Sequence, residues 1–288
     1  MRSDGGADGH CQGSASGDWW SLGSYSQKSG MVEDTFTPVS YDVHDGNVDG
    51  LGLQKYDFGQ FYASKTFFDP VKQRQILWGW VAEEGGAPHA GEDWSSIQSL
   101  PRSVEIDPTN TSRLMFPPID ELQALRGAAV VIPSTVVKAK GSAPLPMIAG
   151  SFDQLEIDIS ITADFTQLGV NAGVSVMGGV PITIQSLPKG KNPEGIDLLK
   201  LDCGGKVGQS VIGPSASTVS LRVFLDKSSI EAYAAGGRGV ASHRVYPTAE
   251  QLKAGIQLVN QGTADVTISG TAWPMMAAAY PTVEELLA

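Results

Sequence analysis

Two neighbouring stretches of this sequence, FYASKTFF (61–68) and QILWGWVA (75–82), carry aromatic side chains with polar tips, among them Tyr62, Trp78 and Trp80. A phenol or an indole needs a hydrogen-bond partner once it is buried, so these residues are awkward material for a core. Aromatic faces pack well on the apolar face of a sugar ring. The two stretches therefore predict a carbohydrate-binding wall, and the alternative is packing between sheets.

Short β-prone runs must position these rings. WWSLGSY (19–25) and SSIQSL (95–100) flank them, and Gly, Asp and Pro separate the runs, as is typical of consecutive antiparallel strands. Asp69 and the proline after it are expected to begin the turn inside this pair. Lys65 stands three residues after Tyr62, so on a regular strand it points to the opposite face, where we expect a structural ion pair.

The second half of the chain reads as an all-β sandwich. LEIDISI (155–161) alternates apolar and polar residues, which predicts a half-exposed strand, and SLRVFLD (220–226) and ADVTISG (264–270) repeat the pattern. Before them, PPIDELQALRG (117–127) spaces its apolar residues for one helical face and ends in Gly127, a plausible C-cap.

We therefore expect four segments. They are a disordered tail at 1–17, a first β region at 18–117, a linker with a short helix at 118–149, and a β-sandwich at 150–288. A chain of 288 residues is long enough for two cores.

The charge balance limits the partners. A formal charge of −11 argues against nucleic acid, whose binding depends on clustered Lys and Arg. With 41% hydrophobic and 18% charged residues the chain is ordinary for a folded protein. No run approaches the ~18 apolar residues of a membrane span, and the first thirty residues hold no apolar core of a signal peptide. No membrane partner is expected, and the compartment stays open.

The sequence contains no motif for binding a metal ion or a cofactor. Two cysteines far apart in sequence cannot form a zinc site, and the four histidines show no ligand spacing. We expect neither a metal nor a cofactor. Asn110 begins an Asn-Thr-Ser sequon and is a glycosylation candidate, which matters only on a secretory route.

Several longer motifs resemble the second half of glycoside hydrolase family 32, the family of invertases (β-fructofuranosidases), fructan hydrolases and fructosyltransferases. They run in the family's order: YDFGQFYASKTFFDP, RQILWGW, WSSIQSLPRSVEID, LRVFLDKSSIEAYAAGGRGVASHRVYPT and VTISGTAW. The resemblance implies a five-bladed β-propeller followed by a β-sandwich. Blades take roughly 40–50 residues, so 18–117 has room for the last blades only, a partial propeller.

The resemblance also shows what this chain lacks. Retaining glycosidases use two carboxyl groups about 5–5.5 Å apart, a nucleophile and a general acid. The family's nucleophile motif Asn-Asp-Pro, its Arg-Asp-Pro motif and its Glu-Cys acid/base motif are all absent here. Asp69-Pro70 and Asp107-Pro108 are preceded by neither Arg nor Asn and are assigned to turns. No catalytic residue is therefore expected within this chain.

The resemblance implies roles for four residues. The tyrosine matching Tyr62 lies near the acid/base glutamate, and a phenol hydroxyl can shift the pKa of a carboxyl beside it. The tryptophan matching Trp80 borders the substrate pocket. Asp226 and Glu231 belong to the family's sandwich signature. Two nearby carboxylates invite an acid/base role, but the resemblance implies a structural or domain-interface role, with Arg238 and Arg244 as natural partners.

Two functions follow as hypotheses. In the first, the chain is the C-terminal part of a β-fructofuranosidase-type enzyme that hydrolyses or transfers terminal β-fructosyl units of sucrose or fructans. It is catalytically incomplete alone and has a possible partner chain that carries the N-terminal blades. In the second, it is a non-catalytic carbohydrate-binding or interaction module derived from that family. Many invertases carry an Asp and a Lys just before the stretch that matches GDWWSLGSY. The aligned stretch here reads QGSASGD, and its residues before Gly17, QGSAS, include neither, so sucrose preference does not carry over.

Overall fold

The computed structural model describes residues 2–3, 17–27, 35–38, 54–83, 88–146, 153–188, 198–211 and 217–277. Within these ranges the chain is mostly β-strand, as predicted. Most of the predicted tail lies outside them. Its described part, Arg2–Ser3 (β1), pairs with the strand that begins at Asp18.

The first region forms small antiparallel sheets. Its further strands are β2 (Asp18–Trp20), β3 (Gly23–Ser26), β4 (Thr35–Pro38), β5 (Gln54–Lys55), β6 (Phe61–Asp69), β7 (Arg74–Val81), β8 (Ile97–Gln98), β9 (Arg102–Ile106) and β10 (Leu114–Met115). The largest sheet has the order β10-β9-β7-β6, with β8 beside β7, and the others join β1-β2-β5 and β3-β4. The predicted pair of aromatic runs is therefore the β6–β7 hairpin, and residues 70–73 form its turn.

The second region is built from two six-stranded sheets. One has the order β11-β22-β13-β18-β19-β20 and the other β12-β21-β14-β15-β16-β17. The strands are β11 (Val130–Val137), β12 (Gly141–Pro144), β13 (Gln154–Thr162), β14 (Asn171–Val176), β15 (Val180–Leu187), β16 (Leu198–Cys203), β17 (Lys206–Val211), β18 (Thr218–Asp226), β19 (Ser229–Ala234), β20 (Gly239–Arg244), β21 (Gln257–Asn260) and β22 (Val266–Pro274). One apolar core takes side chains from both sheets, which makes this region a sandwich.

Two of these strands lie where the sequence predicted a linker. β11 and β12 fall within 118–149, yet each is the edge strand of one sandwich sheet. The sandwich sheets therefore begin at Val130. The alternation that marks a strand is broken here, because the register of β11 shifts between Ile132 and Thr135 around Pro133.

Two short helices lie among the residues that the structure describes. A 3₁₀ helix at Asp120–Leu125 lies in the stretch predicted to be helical, but its C-cap is Arg126 and not Gly127. The α-helix α1 (Ala249–Lys253) begins with a capping box between Thr248 and Gln251. No helix in the described ranges is long and apolar enough to span a membrane.

β13 buries both of its faces, one in the sandwich core and one partly under arginine side chains. The apolar face of LEIDISI is buried in the core as predicted. Its polar face is less exposed than predicted, because Glu156 is 0% exposed. Arg126 and Arg222 both donate hydrogen bonds to that carboxylate and cover it.

A second apolar cluster joins the two regions. Phe61 and Phe116 from the first region contact Phe224, Tyr233 and Val240 from the outer face of a sandwich sheet. The first region therefore packs on the sandwich through a shared apolar cluster. The β6–β7 hairpin contributes Phe61 and Leu77 to that cluster.

Candidate functional site

The β6–β7 pairing places the aromatic side chains opposite one another. Tyr62 is paired with Trp80, and their ring centroids lie 6.1 Å apart at a tilt of 53°. Trp78 and Trp80 are two residues apart on β7, so both rings lie on one face of the sheet. Gly79 between them faces the other way, where an added Cβ would meet the Phe61 ring at 2.1 Å. Phe61 thus packs below while the indoles stay on the accessible face.

Lys65 lies on this face too, contrary to the prediction. The register shifts between Tyr62 and Lys65, and Lys65 is paired with Trp78. Residues directly opposite in an antiparallel pair share a face, so the extra residue returns Lys65 to the side of Tyr62. The predicted ion pair is also missing: among the described residues, no carboxylate bridges Lys65.

These side chains border a cavity of about 370 Å³. Its lining includes Lys65, Trp78, Trp80, Ser96, Ile97 and Gln98. Trp80 is 45% exposed, which is high for an indole that sits in a sheet. The lining combines flat apolar faces with ammonium, hydroxyl and amide groups, a combination that suits a carbohydrate.

The underside of the site is held by a buried arginine. Arg102 of β9 is 0% exposed and its Nη2 donates to Glu231 Oε2 at 2.7 Å and to Ser242 Oγ at 2.9 Å. The same nitrogen lies 2.9 Å from Asp57 Oδ2. Tyr233 donates its hydroxyl to Glu231 at 2.7 Å, and burial raises the pKa of Tyr233 well above its ordinary value. We call Arg102, Asp57, Glu231, Tyr233 and Ser242 the buried cluster.

Glu231 is therefore bound across the interface between the two regions. Besides Arg102, it accepts a hydrogen bond from the Leu100 backbone at 2.6 Å. Asp226 lies elsewhere, exposed at the end of β18, and accepts from Gln154 at 3.1 Å. The structure thus separates the two signature carboxylates and gives them different surroundings.

The partners predicted for these carboxylates are wrong. Arg238 binds Asp107, with Nε to Oδ2 and Nη2 to Oδ1 both at 2.7 Å. Arg244 binds Glu83 at 2.9 Å. Both arginines lie on the sandwich and both carboxylates on the first region, so each pair ties the two regions together.

The Glu83 pair extends into a small network. Tyr246 donates its hydroxyl to Glu83 at 2.5 Å and stacks on His89 with ring centroids 3.7 Å apart. Burial first, and then the hydrogen bond to Glu83, raise the pKa of Tyr246 to about 12. Beside this network a second cavity, of about 750 Å³, opens between the regions. Asp226 lines it, and Ile97 and Gln98 line both cavities.

The remaining sequence candidates lie in turns. Asp69 accepts the backbone N–H of Val71 at 3.0 Å at the β6–β7 turn. Asp107 accepts the N–H of Thr109 at 2.8 Å, and Asn110 follows in the same turn, half-buried. No group of three or more possible metal ligands occurs among the residues that the structure describes.

Family models match both regions. The model described as "Glycosyl hydrolases family 32 N-terminal domain" matches residues 13–118, and "Glycosyl hydrolases family 32 C terminal" matches 197–274. The chain belongs to glycoside hydrolase family 32. The first match contains the aromatic wall and the second contains Glu231, so the buried cluster joins the two family domains.

Alignments with family 32 relatives include most of this chain but only about half of each relative. "Beta-fructofuranosidase, insoluble isoenzyme 1" of Oryza sativa subsp. indica is 30% identical in an alignment 268 residues long that covers 77% of this chain and 46% of the relative. "Fructan 6-exohydrolase" of Beta vulgaris is 30% identical over 82% of this chain and 45% of the relative. The chain spans about half the length of the relatives it matches.

Solved structures give the same picture. Fructan 1-exohydrolase IIa from Cichorium intybus superposes with a TM-score of 0.65 at 25% identity, covering 78% of this chain and 50% of that chain. The two-region β architecture is therefore that of family 32 enzymes, whose fold joins a propeller to a β-sandwich.

Sequence reasoning missed four residues that organise the site. Arg102, Asp57 and Glu83 lie in the first region and bind sandwich side chains far away in sequence, and Gln98 lines both cavities. The sequence offered no clear signal for Arg102, because SLPRSVEI mixes polar and apolar residues and holds a second charge at Glu105.

Proposed function

We propose that this chain is the C-terminal part of a β-fructofuranosidase-type glycoside hydrolase. The enzyme hydrolyses or transfers terminal β-fructosyl units of sucrose or fructans. The observation that carries the proposal is a cavity in a family 32 chain that Trp78 and Trp80 line, with Tyr62 beside Trp80. Such a lining binds the apolar face of a sugar while polar neighbours bind its hydroxyls.

The wall forms one side of the pocket. We infer that the β6–β10 sheet is one of the last blades of a five-bladed propeller, and that the linker and sandwich follow it. β6 is the edge strand of its sheet within the described residues, and Phe67 and Phe68 on it are 53% and 54% exposed. Exposed aromatic groups on an edge strand suit a contact with further blades, in the same polypeptide or on a partner chain.

By itself the chain is catalytically incomplete under this proposal. Its sequence holds neither the family's nucleophile motif nor its acid/base motif. The buried carboxylates of Asp57, Glu83, Asp107, Glu156 and Glu231 each bind an arginine. Each of these carboxylates is engaged by a guanidinium inside the protein, so none of them is free to reach the glycosidic oxygen of a substrate as a general acid must.

The test is complementation. The chain is co-expressed with the N-terminal half of a homologous β-fructofuranosidase, and turnover of sucrose and 1-kestose is measured for the hybrid and for each part alone. We expect activity only in the hybrid, since removing a catalytic carboxylate costs many orders of magnitude in rate. Turnover by this chain alone, lost on mutating one of its own carboxylates, would overturn the incompleteness.

Two substitutions then test the wall. Tyr62→Phe should move one limb of the hybrid's pH–rate profile, because that limb reports the acid's pKa. Trp80→Ala should raise KM more than it lowers kcat, because ground-state binding is lost. Tyr25→Phe, on an exposed residue outside the cavity lining, is the matched control and should change neither. An active hybrid that is indifferent to both substitutions would show that these residues do not form the substrate pocket, whereas an inactive hybrid whose parent chain still binds carbohydrate favours the non-catalytic binding module.

A further inference from the structure

The backbone of β6 is irregular beside the aromatic wall. Ala63 and Ser64 together lie opposite the single Gly79, which makes a β-bulge. Ala63 has φ of 51°, in the left-handed region that a residue with a Cβ adopts only when its surroundings hold it there. Bulges of this kind occur next to active sites, where they redirect a side chain.

A buried carboxylate from another sheet holds the bulge. Asp18 of β2 accepts the backbone N–H of Ser64 through Oδ2. Both residues are only 2% exposed. A buried carboxylate is costly unless it is hydrogen-bonded, so the contact fixes the bulge and the carboxylate together.

The consequence of the bulge falls on Lys65. A regular strand would turn this side chain away from Tyr62, whereas the bulge places it with the two indoles. Lys65 is exposed and lines the cavity of about 370 Å³. Within the described residues it has no ion-pair partner, and no carboxylate lines this cavity. Its ammonium therefore has three donors available to a bound molecule.

We propose that Lys65 is a substrate-binding residue, whose Nζ donates hydrogen bonds to the oxygens of the bound carbohydrate. The bulge held by Asp18 is the device that positions it. This inference rests on the proposed function, because it assigns Lys65 to the same carbohydrate cavity. Sugar hydroxyl oxygens accept the ammonium donors while the indoles of Trp78 and Trp80 cover the ring.

The test is direct binding by the full chain. 1-Kestose and sucrose are titrated separately, with isothermal calorimetry and the change in tryptophan fluorescence as readouts. Lys65→Met should bind roughly 10- to 100-fold more weakly, the effect of losing a charge-assisted hydrogen bond. Lys65→Arg keeps the donors and should recover most of the affinity. Lys138→Met, an exposed lysine on the sandwich and outside both cavities, should bind like the parent chain.

The role of the bulge is tested in a cycle. Asp18→Ala should weaken binding about as much as Lys65→Met, and the double variant should be no weaker than either single variant, since both act through one ammonium. Circular dichroism checks that Asp18→Ala folds. If it does not, Lys65→Met and Lys65→Arg decide the proposal, because Lys65 is exposed and its replacement leaves no buried group unpaired.

The outcomes separate this inference from its premise. Binding by the parent chain that Lys65→Met leaves unchanged overturns the role of Lys65 and leaves the carbohydrate cavity standing. An arginine variant as weak as the methionine variant overturns the donor role. No binding of either sugar by the parent chain overturns the inference that the cavity beside Lys65 holds carbohydrate, while activity of the hybrid still tests the proposed function separately.

Discussion

Replacing Arg102 by methionine is expected to loosen the first region from the sandwich. The guanidinium is 0% exposed, and it faces two carboxylates, Asp57 at 0% and Glu231 at 2% side-chain exposure. Methionine fills much of the volume but leaves both carboxylates buried without a positive charge. Breaking a buried ion pair from one side costs about 3–5 kcal/mol.

The hydrogen bonds that Glu231 and Asp57 keep in Arg102→Met reduce the expected loss of stability. Glu231 keeps the N–H of Leu100 at 2.6 Å and the hydroxyl of Tyr233 at 2.7 Å. Asp57 keeps the backbone N–H groups of Gly59 and Ser242 at 2.7 and 2.8 Å. With these donors retained we expect a loss near the lower end, about 3 kcal/mol in the free energy of unfolding.

Urea unfolding followed by two spectroscopic probes measures this loss in the free energy of unfolding. Five of the six tryptophans precede residue 117, so fluorescence reports mainly on the first region, while far-ultraviolet circular dichroism reports on all strands. In Arg102→Met the fluorescence transition should come at lower urea than the circular dichroism transition. Arg74→Met, which breaks the ion pairs of Arg74 with Asp69 and Glu121 near the hairpin surface, should cost no more than about 1 kcal/mol.

A charge-removing rescue checks the reasoning. Adding Asp57→Asn and Glu231→Gln to Arg102→Met should recover part of the loss, because the uncompensated charges are gone. Coincident transitions in Arg102→Met with a loss below about 1 kcal/mol, or no rescue, would show that the shared apolar cluster alone joins the regions.

Two further predictions concern the interface and the wall. Burial by itself raises the pKa of Asp107, but the hydrogen bonds from Arg238 and Thr109 outweigh it and bring the pKa down to about 2. The pair therefore contributes its full stability above pH 3.8, and the contribution is lost as the pH falls through about 2. The difference in urea midpoint between wild type and Asp107→Asn should be full at pH 6 and much smaller at pH 2, and a difference that does not change with pH would contradict this. Gly79→Ala puts a Cβ 2.1 Å from the Phe61 ring and should cost about 1–3 kcal/mol in unfolding free energy by overpacking; an unchanged urea midpoint would mean that the ring moves freely.

Local pattern was enough for the elements of this fold. Alternation in LEIDISI marked β13, and the aromatic runs around Asp69-Pro70 marked the β6–β7 hairpin, because a strand's side-chain period and a turn's residue preferences are properties of a few adjacent residues. The same reasoning failed for β11, where a proline and a register shift hide the period. The sequence motifs also pointed to family 32, because those motifs are long and keep their order.

What local pattern could not supply was the choice of partners. Glu231 binds Arg102, which is 129 residues away in sequence. It does not bind Arg238 or Arg244, which are much closer in sequence, because the packing of the two regions brings Arg102 to it. The face of Lys65 depends on a bulge that a carboxylate from β2 holds in place. The sequence alone determined β13, the β6–β7 hairpin with its aromatic residues, and the family. Only the tertiary structure decided which charges are buried together and which side of the sheet carries the ammonium, because these depend on contacts between residues distant in the chain.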